Sequence, residues 1–204
     1  MTTSATPGTA DRSDFRNVVF SGARLGLVTA AAVVVFLLVS RFVPTGMLRD
    51  VLQALVVLAF AVPIAFLPGY YVQARATEGV AGAAAVGLVG TVAFMAVDII
   101  LLRPVKAYPW TWDAVGGGST WWYLAIWWML GTFTAWMGGL LTAARASREE
   151  PSLVALARTP LVGGVAVAIV ARVAGSGVPL AVAAGAGFLG VLTVLAIVGL
   201  TRKA

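Results

Sequence analysis

The sequence predicts an all-α integral membrane protein with about six transmembrane helices, and three observations carry that reading. The chain is 60% hydrophobic and only 11% charged, with a mean hydropathy of +0.96, whereas soluble domains are roughly one-quarter charged. Its apolar residues fall into six segments, each long enough to cross about 30 Å of hydrocarbon at about 1.5 Å per residue. Arginines flank these segments instead of gathering in one basic patch, which is a signature of membrane orientation and not of nucleic-acid binding. The formal net charge of +6 therefore implies no nucleic-acid partner.

Residues 1–17 are polar and lack periodicity, and read as a disordered cytoplasmic tail. The remainder, 18–204, reads as a single six-helix membrane domain. The first span, Val18 to Val43, is too long for a signal-peptide core and no small-residue cleavage site follows it, so it is expected to be retained. On it Gly22, Gly26 and Ala30 recur every four residues. After the turn at Pro44-Thr45-Gly46 comes a second span, Leu48 to Pro68, in which Gln53 is the one strongly polar residue beyond the first turn and Pro63 predicts a kink.

A loop from Gly69 to Gly79 leads to the third span, Val80 to Leu102. Gly79, Ala83 and Gly87 form one small-residue row on it, and Gly82 and Gly90 another. Such rows admit close helix approach, and because lipid supplies no hydrophobic drive for association, that packing is their expected use.

The fourth span, Thr120 to Ala144, follows the longest connection. All seven tryptophans lie between Trp110 and Trp136. Trp110, Trp112, Trp121 and Trp122 suit the lipid–water boundary, where an indole buries its ring and hydrates its N–H. Trp127, Trp128 and Trp136 lie too far along the span for that belt. At 100° per residue Trp121, Trp128, Thr132 and Trp136 share a face beside a stripe of Gly131, Ala135, Gly138 and Thr142. The fifth span, Leu153 to Ala174, holds Arg158 near its entrance, which is expected to snorkel to the surface or, with Pro160, to mark a broken helix end. The sixth is Leu180 to Leu200. Its Gly185-x-Gly187-x-x-Gly190 lies inside an apolar run without a preceding strand, so it reads as helix packing and not as a nucleotide fingerprint. Echoes of Gly69 to Thr77 in Gly139 to Ser147 suggest three helical hairpins.

The absence of Cys and His excludes disulfides, Cys- or His-based zinc sites and Ser-His-Asp chemistry. No catalytic set emerges, no metal site is expected and no cofactor is implied, so an enzyme is the least favoured class. Asp98 is the one acid inside an apolar span beyond its first turn, and an intramembrane carboxylate costs about 3 kcal/mol on insertion scales unless it meets a partner or water. With Gln53, Thr91, Trp121, Trp128, Thr132 and Trp136 it outlines an outward-facing aromatic ligand site, suited to a cationic or flat aromatic small molecule. This points to small-solute or ion transport or binding. The alternative is a non-catalytic structural subunit of a larger membrane complex, packing against partner helices, lipid or pigment, in a homo-oligomer or with other subunits. The arrangement resembles in general architecture, without a shared motif, the substrate-binding subunits of vitamin importers, which favours the first class.

Twelve Arg against two Lys, with abundant Ala, Gly and Val, fit a GC-rich bacterial genome and hence a bacterial inner membrane. Arg12, Arg16, Arg24, Arg75, Arg145, Arg148, Arg202 and Lys203 fall on the side of the termini, against Arg41, Arg49, Arg103, Lys106 and Arg172 on the other. Both termini are thus expected in the cytoplasm. Reporter fusions near residue 115 and at the C-terminus are expected to report opposite sides of the membrane; the same side for both would reject this topology.

Overall fold

A computed structural model of the chain describes residues 12–102, 104, 121–146 and 152–201, with residues 121–127 described by their backbone alone. All regular structure among them is helical: α1 (Phe15–Phe42), α2 (Met47–Tyr71), α3 (Thr77–Val97, continued by a π-helical turn Asp98–Leu102), α4 (Trp121–Ala146), α5 (Leu153–Val173) and α6 (Leu180–Thr201). Among the described residues five helices, α1, α2, α3 with its π turn, α5 and α6, are long and apolar enough to cross a bilayer. They support a multi-pass membrane protein. The tryptophan-rich connection with its triple glycine, and the side chains of Trp121, Trp122 and Trp127, lie outside the described residues.

Local chemistry explains the helix ends. Asp14 caps α1 by accepting from the Asn17 N–H at 3.1 Å, and Ser152 caps α5 by accepting from the Ala155 N–H at 3.2 Å. Each satisfies a donor that the first helical turn leaves open. α1 therefore begins three residues before the first apolar run. The residues ahead of it also differ from a free tail: the Arg12 N–H donates to the Val72 carbonyl at 2.8 Å, and the Asn17 amide donates to the carbonyls of Arg12 and Tyr71. The loop after α2 is shorter than expected, because α2 continues through Gly69 to Tyr71 and α3 starts at Thr77. α2 runs on through Pro63 and Pro68. α5 likewise continues through a buried Pro160, so no broken end forms beside Arg158, which is exposed. Arg145 joins this end of the bundle by donating to the Ala155 carbonyl at 2.6 Å.

The glycines set how the helices meet. A methyl group built on Gly22 or Gly26 would lie 2.5 Å from Val89 Cβ or 2.6 Å from Ala93 Cβ, so the small row of α1 lies directly on α3. The two helices run parallel, since positions rise together along both. On the other side of α3, Gly87 meets Ala135 and Gly131, and Ala83 meets Gly139. There the numbers run in opposite senses, so α3 and α4 are antiparallel. Gly69 against Thr142 and Gly138 against the Ala65 carbonyl bring α2 alongside α4 in parallel, and Gly163 and Gly187 lock α5 antiparallel to α6. Successive helices thus alternate in direction. α1 packs more extensively on α3 than on α2, so its principal partner is not its sequence neighbour.

Two large apolar centres result, beside a smaller one of Ala30, Phe94, Met95 and Leu102. One joins Leu58 and Phe66 of α2, Met137 and Leu141 of α4, Leu156 of α5, and Phe188 and Leu192 of α6. The other joins Leu25 of α1, Val72 beyond α2, Val80 and Val86 of α3, and Ala143 of α4. α2 and α4 contribute to the first and border the second, so they tie α1 and α3 to α5 and α6. Val34, Leu38, Val162 and Ile169 are exposed, as expected of a surface solvated by lipid and not by water.

These contacts distinguish two glycines of similar sequence context. At Gly138 an added methyl would overlap the backbone carbonyl of Ala65, which cannot move away, whereas at Gly190 it would meet nothing within 4 Å. Gly138→Ala is expected to lower thermal stability in detergent by about 1–3 kcal/mol through overpacking. Gly190→Ala is expected to be neutral or stabilising by up to about 1 kcal/mol, since alanine is the better helix former. Parallel melting curves of the two variants check this, and equal losses would place Gly138 away from α2.

Candidate functional site

The helix register places the predicted site residues in two groups. On α3, Gly87, Thr91 and Asp98 fall within about 40° of one another at 100° per residue, and Gly87 and Thr91 both face α4. The Thr91 hydroxyl is satisfied within its own helix, donating to the Gly87 carbonyl at 2.9 Å, and Gly131 of α4 is the residue small enough to lie over it. One turn further along, the Trp128 indole N–H points at Met95 Sδ at 2.8 Å. Sulfur is a weak acceptor, but this contact fixes which way the indole turns. Three residues beyond Met95, continuing the same register toward the first turns of α4, comes Asp98.

Asp98 is 2% exposed, and it is not without a partner. It opens the π-helical turn Asp98–Leu102. A π turn widens the helix by one residue and recurs at functional sites. Here it lies at the end of an apolar span whose neighbouring residues Ile99, Ile100 and Leu101 are exposed, so the chain turns its carboxylate inward while its isoleucines face out.

The α4 residues divide between the seam and the surface. Thr132 has a buried hydroxyl with no hydrogen-bond partner, unlike Thr134 and Thr142, which each donate to the carbonyl four residues back. Trp128 and Trp136, one turn on either side of Thr132, are 42% and 46% exposed. The tryptophan ridge therefore borders the α3–α4 seam with much of each indole on the outer surface. The Trp121 side chain lies outside the described residues.

Gln53 belongs to a different group. Its amide donates to Ser40 Oγ at 2.9 Å, Ser40 Oγ donates to the Phe36 carbonyl at 2.8 Å, and Arg49 donates to the Ser40 carbonyl at 2.9 Å. Ser40 is thus the centre of a polar clamp holding α1 to α2 close to their shared turn. The Arg49 guanidinium, reaching from the first turn of α2, meets the last turn of α1, where the dipole of that helix favours a cation. Among the described hydrogen bonds none joins Gln53 to Asp98. The sequence showed the polarity of Gln53 but not this partner, because serine is common in apolar helices and the α1–α2 register is a tertiary fact. Met95 was missed for the same reason, as nothing in an apolar span singles out a methionine that lies under an indole.

What remains at the α3–α4 seam is a buried carboxylate, an unpartnered threonine hydroxyl and two half-exposed indoles in otherwise apolar surroundings. Such a set can bind and orient a solute or a cation, and it contains no nucleophile paired with a base. Comparison of the chain with models of known protein families, with curated proteins and with solved structures found no match.

The clamp reading of Gln53 is directly measurable. Gln53→Leu is expected to lower stability in detergent by about 0.5–1.5 kcal/mol, the usual net contribution of one hydrogen bond, while leaving any solute binding intact. Loss of binding at unchanged stability would return Gln53 to the site.

Proposed function

We propose that the protein is a polytopic membrane protein that binds or transports a small solute or ion through a site at the outer end of the α3–α4 seam, with Asp98 as its charged group. The observation that carries this reading is the burial of Asp98, at 2% exposure, in the π turn of an apolar helix. Asp98 has a partner within the protein, but a buried carboxylate keeps a desolvation cost even when it is paired, and a structural role alone is served more cheaply by an apolar residue. The Trp128 and Trp136 faces supply the aromatic surface that attracts a cation or stacks on a flat ring. In this reading α4 is the sixth membrane span, both termini are cytoplasmic, and the protein resides in a bacterial inner membrane.

A second reading is favoured by one observation. Trp128 and Trp136 leave nearly half of their large surface outside the bundle, and exposed aromatic area of this kind is enriched at interfaces between chains. It supports a structural subunit in a larger complex or homo-oligomer, in which the α4 surface meets partner helices, lipid or pigment.

The two readings separate on a pair of variants. Asp98→Asn keeps shape and removes charge, and is expected to reduce solute binding or uptake while the melting temperature and oligomeric state stay as in the wild type. Trp128→Ala is expected to weaken assembly if the second reading holds, seen as a smaller species on gentle extraction. Unaltered uptake in Asp98→Asn, together with a smaller species in Trp128→Ala, would sink the transport site and support the subunit.

A further inference from the structure

At the other end of the bundle, α1 carries a charge that no described residue satisfies. Arg24 lies nine residues after the start of α1, about 13–14 Å along the helix axis, and is exposed between Ala23 and Leu27 on the outward face. Its guanidinium makes no hydrogen bond or ion pair with any described residue. A lipid-facing guanidinium at this depth must reach an aqueous or headgroup partner. Helical side chains tilt toward the N-terminus of their helix, so this one is directed back along α1 toward Phe20 and Arg16.

Those two residues complete a surface. Arg16, Phe20 and Arg24 follow at intervals of four, and the Arg16 guanidinium lies 5.8 Å from the centre of the Phe20 ring. Together with Asp14, Asn17 and Ser21 they line an open groove of about 430 Å³. The polar residues at its base are already committed. Asp14 caps the helix, the Asn17 amide donates to two backbone carbonyls, and the Ser21 hydroxyl donates to Asn17 Oδ1 at 3.2 Å. Two guanidiniums are left over, one at the boundary and one set deeper, with an exposed phenyl ring between them at 59% exposure.

We infer that this groove is a binding site for the phosphate of an anionic phospholipid headgroup. Guanidinium presents a planar fork that matches phosphate oxygens and is more weakly hydrated than ammonium. The long stem of Arg24 lies along apolar surface while its head reaches the headgroup layer. Phe20 lies where the acyl chains begin, so the groove joins phosphate-binding charge to a chain-binding wall, which a soluble phosphate does not use. Arg16 and Arg24 against the single carboxylate of Asp14 leave the groove net positive, which favours an anionic over a zwitterionic lipid. The inference rests on α1 spanning the bilayer and is independent of Asp98.

Native mass spectrometry of the full chain in a neutral detergent tests it, with phosphatidylglycerol or phosphatidylcholine added at equal concentration. The wild type is expected to retain phosphatidylglycerol in preference to phosphatidylcholine. Each basic residue near an anionic lipid contributes about 1 kcal/mol, so Arg24→Gln is expected to reduce retention about fivefold and the double variant Arg16→Gln, Arg24→Gln about 25-fold. Arg24→Lys is expected to keep most of it, and Arg158→Gln, at an exposed arginine on α5, to keep all of it. If Arg24→Gln loses its helical circular dichroism, Arg16→Gln alone carries the same fivefold expectation. Equal retention of the two lipids, or wild-type retention in the double variant, overturns the inference. So does displacement of the lipid by millimolar inorganic phosphate, which would make this a free-phosphate site.

Discussion

Everything in this fold depends on how closely α3 is approached from two sides. On one side Gly22 and Gly26 bring the α1 backbone against Val89, Gly90 and Ala93, and on the other Gly87 receives Ala135 and Gly131 of α4. Within lipid, apolar area alone does not hold helices together, because the tails are as apolar as leucine. Dispersion between closely fitted surfaces does, and it falls away steeply with sub-ångström gaps. Each glycine removes the one methyl group that would hold the backbones apart. The register that follows is fixed to the residue, since a shift of one position would bring a side chain where no space exists.

That register has a chemical consequence at the far end of α3. With Ala83 opposite Gly139, Thr91 under Gly131 and Met95 under Trp128, the same face carries Asp98 inward and turns Ile99, Ile100 and Leu101 out. The π turn allows both, because its extra residue rotates the following side chains relative to an α-helix. The Ser40 clamp with Gln53 and Arg49 does comparable work between α1 and α2, where no row of glycines is available. Polar contacts therefore hold a pair of helices that close packing does not.

The two ends of the bundle treat charge differently. At the end of α3 a carboxylate is buried beside an apolar seam, whereas on α1 two arginines stand on the outer surface beside Phe20. Arginine has a long flexible stem that lets its charge leave the hydrocarbon. Aspartate has only one methylene and must be satisfied where its backbone places it. An acid inside a span must thus be met within the bundle, whereas an arginine near a span's end can reach the headgroup layer.

The amino-acid sequence by itself determined the helical class, the approximate positions of all six helices and the packing faces of α1, α3 and α4. Hydrophobic run length and four-residue glycine spacing are local properties, and the rows Gly22-Gly26-Ala30, Ala83-Gly87 and Gly131-Ala135 were legible without knowledge of their partners. It also singled out Asp98, because an acid in an apolar run is anomalous wherever the helix lies. Only the tertiary structure decided that α1 packs chiefly on α3, that Gln53 meets Ser40 instead of Asp98, that Met95 lies under Trp128, and that the Trp128 and Trp136 rings stand half outside the bundle. Each of these depends on the rotation and offset of one helix against another. Those are set by the fit of whole surfaces, so no single segment of sequence encodes them.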